Sequence, residues 1–296
     1  MNVRERIVGA LYGFAIGDAM GATTEFMSPK EIEREYGKVD DIIGGGWLHL
    51  KAGEVTDDTQ MMLCVADALV DSDLMFDSSS FLSGCCSNFV AWFNSKPKDI
   101  GNACREAIVR CKYKPFSEWF DVALSKDKLG NGALMRCLYP AILYAITGNV
   151  VFKWAAETQG NLTHFNSVCR RYNREYCDAL QSLFIDEVPS CFIEADISDN
   201  SGRVDATFNS AIYHALSADS FEEAITNAVN CGGDADTIAA LTGGLAGFKF
   251  GLSAIPKRWI EKLDEDVAEK LDKLVVAAMS VFVNCTERGI IWIYNV

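Results

Sequence analysis

The sequence predicts an all-α protein, and three observations support this class. Most of the chain falls into segments whose apolar residues recur at the 3.6-residue period of a helix. Stretches in which apolar and polar residues alternate, as they do in strands, are scarce. The chain also has only six prolines and no low-complexity linker. We therefore expect residues 1–296 to form one all-α domain.

The predicted helices follow one another along the chain. Their apolar residues place them at 4–20, 59–70, 81–93, 133–145, 169–184, 204–216, 221–229, 237–250 and 261–283. Two other segments have β character. Residues 41–50, which contain GGGW, form either a short hairpin or a glycine-rich loop, and the tail GIIWIYNV is prone to form a strand.

Small residues recur every four positions in the first predicted helix and in a later one. The first stripe is Gly9, Gly13, Gly17 and Gly21, and the second is Ala239, Gly243, Gly247 and Gly251, with Ala240 and Gly244 beside it. Residues four apart share one helix face. Because each helical glycine costs about 0.8–1.0 kcal/mol relative to alanine, we expect close packing between two central helices to offset the cost.

Composition excludes several function classes. The chain has 27 Lys and Arg against 41 Asp and Glu, a formal charge of −14 without a basic stripe, which argues against nucleic-acid binding. Its eleven cysteines form no C-x-x-C pair and are odd in number, so we expect reduced core thiols. The start of the chain does not resemble a signal peptide, and the apolar run 274–283 is too short to cross a bilayer. We expect a cytoplasmic monomer without membrane contact.

Two predicted helices begin with a cluster of acidic and hydroxyl side chains. The members are Thr56, Asp57 and Asp58 in the first cluster and Asp234, Asp236 and Thr237 in the second. Either cluster alone is explained by helix capping and by the favourable position of acids at a helix N-terminus. If the two clusters face one another, each pair of carboxylates repels by about 1–4 kcal/mol. Such convergence would require a cation, and the all-oxygen set favours two Mg²⁺ or Mn²⁺ ions.

Two further features would serve such a centre. Asp18 and Glu25 are seven residues apart, so both would project from one side if the first helix continued through GDAMGATTE. Considered alone, a residue such as Glu25 is more often an ordinary surface acid. The segment LGNGALMR places Gly130 and Gly132 around Asn131 ahead of a predicted helix, which suits either phosphate binding or a simple helix-entry turn.

Five segments, taken together and in order, resemble the ADP-ribosylglycohydrolase family. They are GALYGFAIGDAMGATTEF, GEVTDDTQMML, GNGALMR, LTH and NCGGDADTIAALTGGLAGFKFG, and they span residues 6–251. The resemblance implies a compact orthogonal helical bundle with a binuclear Mg²⁺ or Mn²⁺ centre at the mouth of an ADP-ribose cleft. It implies a hydrolase that removes ADP-ribose from modified proteins or from related small molecules.

The resemblance also assigns roles by position. It implies that Thr56, Asp57, Asp58, Asp234, Asp236 and Thr237 hold the metal ions. Glu25 matches an acid implicated in catalysis or in gating the site. Gly130, Asn131, Gly132 and Met135 match the loop along ADP-ribose, and His164 matches a histidine near the ligand, although a lone histidine is more often structural.

The chemistry expected of such a site is glycosidic hydrolysis. Positive charge develops on the ribose, and Glu25, Asp57 or Asp58 would act as the general acid or base. Asp99, in a D-I-G segment, resembles an acid that pairs with the guanidinium of ADP-ribosyl-arginine, although it is equally explained as a helix cap. The alternatives are an ADP-ribose-binding or toxin-immunity protein that acts by contact, and a nucleotide phosphohydrolase.

Overall fold

The computed structural model describes residues 1–72, 78–122 and 128–287. The helices are α1 Val3–Gly21, α2 Pro29–Tyr36, α3 Asp57–Asp71, α4 Ser78–Asn94, α5 Asn102–Cys111, α6 Phe116–Val122, α7 Leu138–Thr147, α8 Val150–Gly160, α9 Ser167–Phe184, α10 Val204–Ser217, α11 Phe221–Val229, α12 Ala235–Phe250, α13 Lys257–Ile260 and α14 Glu265–Glu287. Two 3₁₀ turns, Ser190–Glu194 and Leu252–Ala254, complete the set. Over these ranges no strand forms, which confirms the all-α prediction.

Helices α1 and α12 form the centre of the fold. They run antiparallel, and their glycine stripes meet: a Cβ atom added to Gly9 would lie 2.2 Å from the carbonyl oxygen of Gly247. One added to Gly17 would lie 2.0 Å from the carbonyl oxygen of Ala239. The predicted close packing is therefore confirmed. Gly251 ends the second stripe outside the helix, because it follows Phe250 as the C-cap with a φ of 80°.

The antiparallel arrangement of α1 and α12 determines which helix ends, and therefore which acidic side chains, lie close together. The C-terminal end of α1 reaches the N-terminal end of α12, where Gly21 packs on the backbone of Asp236. Helix α3 also begins here, because the buried carboxylate of Asp18 accepts hydrogen bonds from the backbone N–H groups of Thr56 and Thr59, each at 3.0 Å. Three helix ends therefore meet in one place.

Most of the predicted helices are present, with shifted ends. The main error is the helix predicted over 133–145, which begins only at Leu138. The preceding residues form turns in which the N–H groups of Leu134 and Met135 both donate to the carbonyl of Asn131. The helix predicted from residue 261 begins at Glu265.

The shorter helices α2, α5, α6, α8 and α13 were not predicted. Helix α2, for example, buries only Ile32, so its sequence shows no apolar period. A capping box between Ser28 and Glu31 stabilises this helix instead. Residues 41–50 form a glycine-rich loop closed by two hydrogen bonds between Gly45 and Leu50. The tail GIIWIYNV lies outside the described residues.

Two expectations from composition can be compared with the structure. All eleven cysteines lie in the described ranges and are free thiols, most of them buried. Among the helices described, none is long and apolar enough to cross a membrane.

Candidate active site

The first acidic cluster begins α3. Thr56 is the N-cap, and its hydroxyl accepts a hydrogen bond from the N–H of Asp58 at 3.3 Å. The capping explanation is therefore correct, but it does not account for burial. Asp57 and Asp58 are 5% and 1% exposed, whereas acids that only complement a helix dipole remain in water.

The second cluster begins α12 and meets the first. Gly232 and Gly233 have φ of 72° and 71°, and Asp234 follows as the N-cap residue. Asp236 and Thr237, in the first turn, are buried. The hydroxyl of Thr237 donates to Oδ2 of Asp58 at 3.4 Å, so the structure brings the two helix starts together.

Glu25 reaches the same place from a different element. Helix α1 ends at Gly21 and does not continue through residue 25, so Glu25 lies in the following turn. It is 5% exposed and is therefore not an ordinary surface acid. Glu25, Asp234 and Asp236 each offer a carboxylate oxygen, and these oxygens lie within 4.8 Å of one another. That geometry could hold a metal ion.

The electrostatics of the cluster favour a bound cation. Burial, followed by the charge of Asp99, raises the pKa of Asp57 to about 8. Burial also raises the pKa of Glu25 to about 8, against the opposing hydrogen bond from Trp47. The pKa values of Asp58 and Asp236 are also raised well above the usual range of a carboxyl group, first through burial and then through the neighbouring carboxylates. Only a proton or a cation relieves this repulsion.

Orphaned oxygen atoms support the same conclusion. In the part of the chain that the structure describes, three buried side-chain oxygens of the cluster make no hydrogen bond: Oδ1 of Asp58, Oγ1 of Thr59 and Oδ1 of Asp236. Buried polar atoms without partners are rare in native proteins. Because every donor atom here is oxygen, the residues fit Mg²⁺ or Mn²⁺ better than Zn²⁺.

The acidic cluster lies in a cavity of about 670 Å³. Every residue that the sequence assigned to the site lines this cavity, except Thr56: Glu25, Asp57, Asp58, Asp99, Gly130, Asn131, Gly132, Met135, His164, Asp234, Asp236 and Thr237. A cavity of this size accommodates a small-molecule ligand. The candidate site is therefore a cleft with acidic residues in its wall.

The glycine loop differs from the prediction in one respect. Its residues do not begin a helix, so no helix N-terminus points at a ligand here. The side-chain amide of Asn131 donates to Asp234 and, at 3.0 Å, to the hydroxyl of Thr207. Asn131 therefore holds an acid of the cluster, and its side-chain N–H groups are committed to protein atoms.

His164 packs against the glycine loop. A Cβ atom on Gly132 would lie 2.9 Å from Cε1 of His164, so a larger residue there would require the imidazole ring to shift. The imidazole is 3% exposed and its Nδ1 lies 2.8 Å from the hydroxyl of Thr163. Burial, followed by the charges of Arg136 and Lys128, lowers the pKa of His164 to about 3. The ring is therefore neutral at pH 7.

Asp99 lies in the wall of the cleft beside Asp57. It is not a helix cap, because α5 begins at Asn102 with Gly101 as its N-cap and no side-chain cap. Its carboxylate accepts from the N–H of Ile100 at 2.7 Å, and burial nevertheless raises its pKa. The N–H of Gly101 donates to Oδ2 of Asp57 at 3.1 Å, which ties this wall to the start of α3.

Among the cleft residues that sequence reasoning missed, Trp47 contacts the acidic residues directly. The indole N–H of Trp47 donates to Oε2 of Glu25 at 2.6 Å, and Trp47 lines the cavity. The sequence pattern that could have indicated Trp47 is a large aromatic residue directly after three glycines. Glycines in such a loop allow it to approach another backbone closely. Nothing in the sequence showed which backbone that would be.

Comparison with known proteins agrees with this geometry. The family model described as ADP-ribosylglycohydrolase matches residues 1–190 and 169–287. The ADP-ribosyl-[dinitrogen reductase] glycohydrolase of Rhodospirillum rubrum is 32% identical over 95% of this chain and 97% of its own length. The ADP-ribosylarginine hydrolase Tri1 of Pseudomonas putida (strain GB-1) is 31% identical over 88% of this chain and 74% of its own.

A solved structure agrees as well. A chain described as "ADP-ribosylglycohydrolase-related protein complex" superimposes with a TM-score of 0.78 at 27% identity, covering 95% of this chain and 99% of that one. The structural match and the sequence matches therefore both cover nearly the whole chain. This chain belongs to the ADP-ribosylglycohydrolase family and is a hydrolase that acts on ADP-ribosyl glycosidic bonds.

Proposed function

We propose that this protein removes ADP-ribose from ADP-ribosylated protein side chains, with arginine as the preferred linkage and with two Mg²⁺ or Mn²⁺ ions as cofactors. The observation that carries the proposal is the convergence of buried carboxylates from α3, from α12 and from the turn after α1 in one cleft. The names of the Rhodospirillum and Pseudomonas relatives, a glycohydrolase and an ADP-ribosylarginine hydrolase, support this substrate class.

The proposed ligands of the ions are the residues of the two helix starts. They are Thr56, Asp57, Asp58, Asp234, Asp236 and Thr237, to which the geometry adds Glu25 as a neighbour. A divalent ion bound there would supply Lewis-acid stabilisation of negative charge and would lower the pKa of coordinated water. Asn131 and Asp18 hold the acidic elements in position, through Asp234 and through the start of α3.

The reaction replaces the bond between the ribose anomeric carbon and the side chain with a bond to water oxygen. Positive charge develops on the ribose as the first bond breaks, and the nearby carboxylates stabilise that charge. One carboxylate, that of Glu25, Asp57 or Asp58, removes a proton from the water, and the departing nitrogen gains a proton. Each of these side chains lines the same cavity.

Asp99 gives a reason for the arginine preference. A guanidinium is planar, permanently charged and suited to a carboxylate. Asp99 is partly buried in the wall next to Asp57, so a side chain leaving from the anomeric carbon could pair with it. A serine linkage has no charge that would gain from this contact.

The test is direct. The protein is incubated with MgCl₂ or MnCl₂ and with matched ADP-ribosyl-arginine and ADP-ribosyl-serine peptides, and free ADP-ribose is measured. We expect metal-dependent release from both or from arginine alone, with arginine faster. If folded, metal-loaded protein releases ADP-ribose from neither linkage, the proposal is wrong.

A further inference from the structure

Glu25 is held differently from the other acids of the cleft. It lies in a turn after the end of α1, so no helix fixes the direction of its side chain. Across residues 1–72, 78–122 and 128–287, the one hydrogen bond to its carboxylate comes from the indole Nε1 of Trp47, at 2.6 Å to Oε2. A charge-assisted bond of this length is strong. The position of Glu25 therefore depends on Trp47.

The loop that carries Trp47 is built against the turn that carries Glu25. Gly46 has a φ of 64°, and a Cβ atom there would lie 2.1 Å from the carbonyl oxygen of Ala22. The hydroxyl of Thr23 donates to the carbonyl of Gly44 at 3.0 Å. The glycines thus allow backbone contact between the two segments, and this contact delivers the indole to the carboxylate.

Phe26 fixes the plane of the indole. It packs on Trp47 with ring centroids 5.5 Å apart and an interplanar angle of 41°. Its backbone has a φ of 63°, which is uncommon for a bulky residue. That conformation is held by two hydrogen bonds, from the N–H of Phe26 to Gly233 at 2.7 Å and from the N–H of Gly233 to Met27 at 2.9 Å.

Simple packing does not explain this arrangement. Phe26 and Trp47 are 66% and 49% exposed, whereas the Glu25 that they adjoin is 5% exposed. Two large aromatic rings therefore stand in contact with water at the cleft mouth, next to a buried carboxylate. A phenyl group at position 47 would pack as well against Phe26, but only an indole has the N–H that reaches Glu25.

We propose that Trp47 is a positioning residue for Glu25, and that Phe26 holds Trp47 in the required orientation. The indole N–H engages one carboxylate oxygen, so that only the other oxygen is free to act toward the substrate and the acidic cluster. This inference rests on the proposed function insofar as Glu25 takes part in hydrolysis. Trp47 itself acts through Glu25 and not on the substrate.

The first test distinguishes the contribution of the Trp47 indole N–H from that of its aromatic ring. Trp47→Phe retains an aromatic ring beside Phe26 and removes the donor, and Trp154→Phe is the matched control, because Trp154 is 37% exposed on α8 outside the cleft. With ADP-ribosyl-arginine as substrate, we expect kcat of Trp47→Phe to fall about tenfold or more, equivalent to about 1.4 kcal/mol, with little change in KM. Trp154→Phe should change neither constant. An unchanged kcat in a folded Trp47→Phe variant would overturn the proposal.

The second test needs no activity. The six tryptophans give indole N–H signals in an ¹⁵N-labelled sample, and the signal of Trp47 is the one that Trp47→Phe removes. We expect Glu25→Gln to move this signal, because the acceptor changes from a carboxylate to an amide, while Glu31→Gln on the surface leaves it in place. If Trp47→Phe fails to fold, the Trp47 indole signal is assigned instead by triple-resonance spectra of the native protein, and an unmoved signal still contradicts the hydrogen bond. If the wild type hydrolyses nothing while the signal moves, the proposed function fails and the bond remains.

Discussion

The hydroxyl of Thr237 donates a hydrogen bond to Oδ2 of Asp58 across a sequence separation of 179 residues. This bond joins the first turns of α3 and α12, whose acids would otherwise each be ordinary helix starts. The close packing of α1 on α12 determines that these turns meet, because Gly21 contacts Asp236 while Asp18 binds the start of α3. The acidic cluster is therefore a consequence of the glycine stripes.

A methyl group on the central stripe should destabilise the protein. The Cβ atom of Gly13→Ala would lie 2.3 Å from the carbonyl oxygen of Gly243, so α1 and α12 would have to separate. We expect a loss of about 1–3 kcal/mol or more in the free energy of unfolding, measured by urea denaturation. Gly101→Ala is the control, because nothing lies within 4 Å of its added Cβ and its φ is −56°. Equal effects of the two changes would contradict the packing explanation.

Stability without divalent ions should fall as pH rises. Asp57 and Glu25 have folded-state pKa values raised to about 8, well above the values expected in the unfolded chain. An acid whose pKa is raised by folding binds its proton more tightly in the folded state. Its contribution to the free energy of unfolding is therefore complete below about pH 4 and is lost as pH approaches 8. Urea denaturation in EDTA should therefore show a loss of stability from pH 5 to pH 8 arising from this cluster.

Metal ions should oppose that loss. Divalent ions bind the deprotonated carboxylates, so MnCl₂ should stabilise the protein more at pH 8 than at pH 5. Asp57→Asn, which removes one of the titrating groups, serves as the control and should flatten the dependence measured in EDTA. If the native protein in EDTA becomes more stable between pH 5 and pH 8, to an extent that Asp57→Asn does not alter, the cluster does not behave as described.

Asp99 should determine linkage preference more than overall activity. Asp99→Asn keeps the size of the side chain and removes the charge that a guanidinium would contact. We expect kcat/KM for ADP-ribosyl-arginine to fall about tenfold or more, since a hydrogen bond to a charged group contributes about 1.5–3 kcal/mol. The fall in kcat/KM for ADP-ribosyl-serine should be smaller. The measurement is therefore the ratio of kcat/KM for the arginine substrate to kcat/KM for the serine substrate. Equal losses would indicate that Asp99 acts through Asp57 and the metal ions.

The sequence predicted much of the fold because its signals are local or periodic. The glycine stripes alone identified the two central helices and predicted their contact, which the structure contains. The paired acids at residues 57 and 58 and at 234 and 236 predicted a cation site on the condition that the two helix starts meet, and the resemblance of five segments to a known family supported it. Helix α2 was not predicted because its stability comes from capping and not from an apolar face.

The remaining features depend on tertiary contacts. Glu25 could be assigned to a helix or to the surface, and only the docking of residues 44–46 on the turn at 22 and 23 shows it buried beneath Trp47. Asn131 was assigned to the loop along ADP-ribose, but the partners of its side chain, Thr207 and Asp234, come from distant segments. No spacing along the chain indicates such contacts.

The most direct test of the account measures metal binding and hydrolysis in one set of variants. Asp57→Ala and Asp234→Ala remove one acid from each helix start, and Glu33→Ala at an exposed position on α2 is the surface control. Mn²⁺ binding is measured by calorimetry, ADP-ribose release from ADP-ribosyl-arginine by chromatography, and helix content by circular dichroism. We predict that both cluster variants retain their helices but lose Mn²⁺ binding and metal-dependent release, while the control retains both. Full Mn²⁺ binding and full activity in either cluster variant would contradict the account.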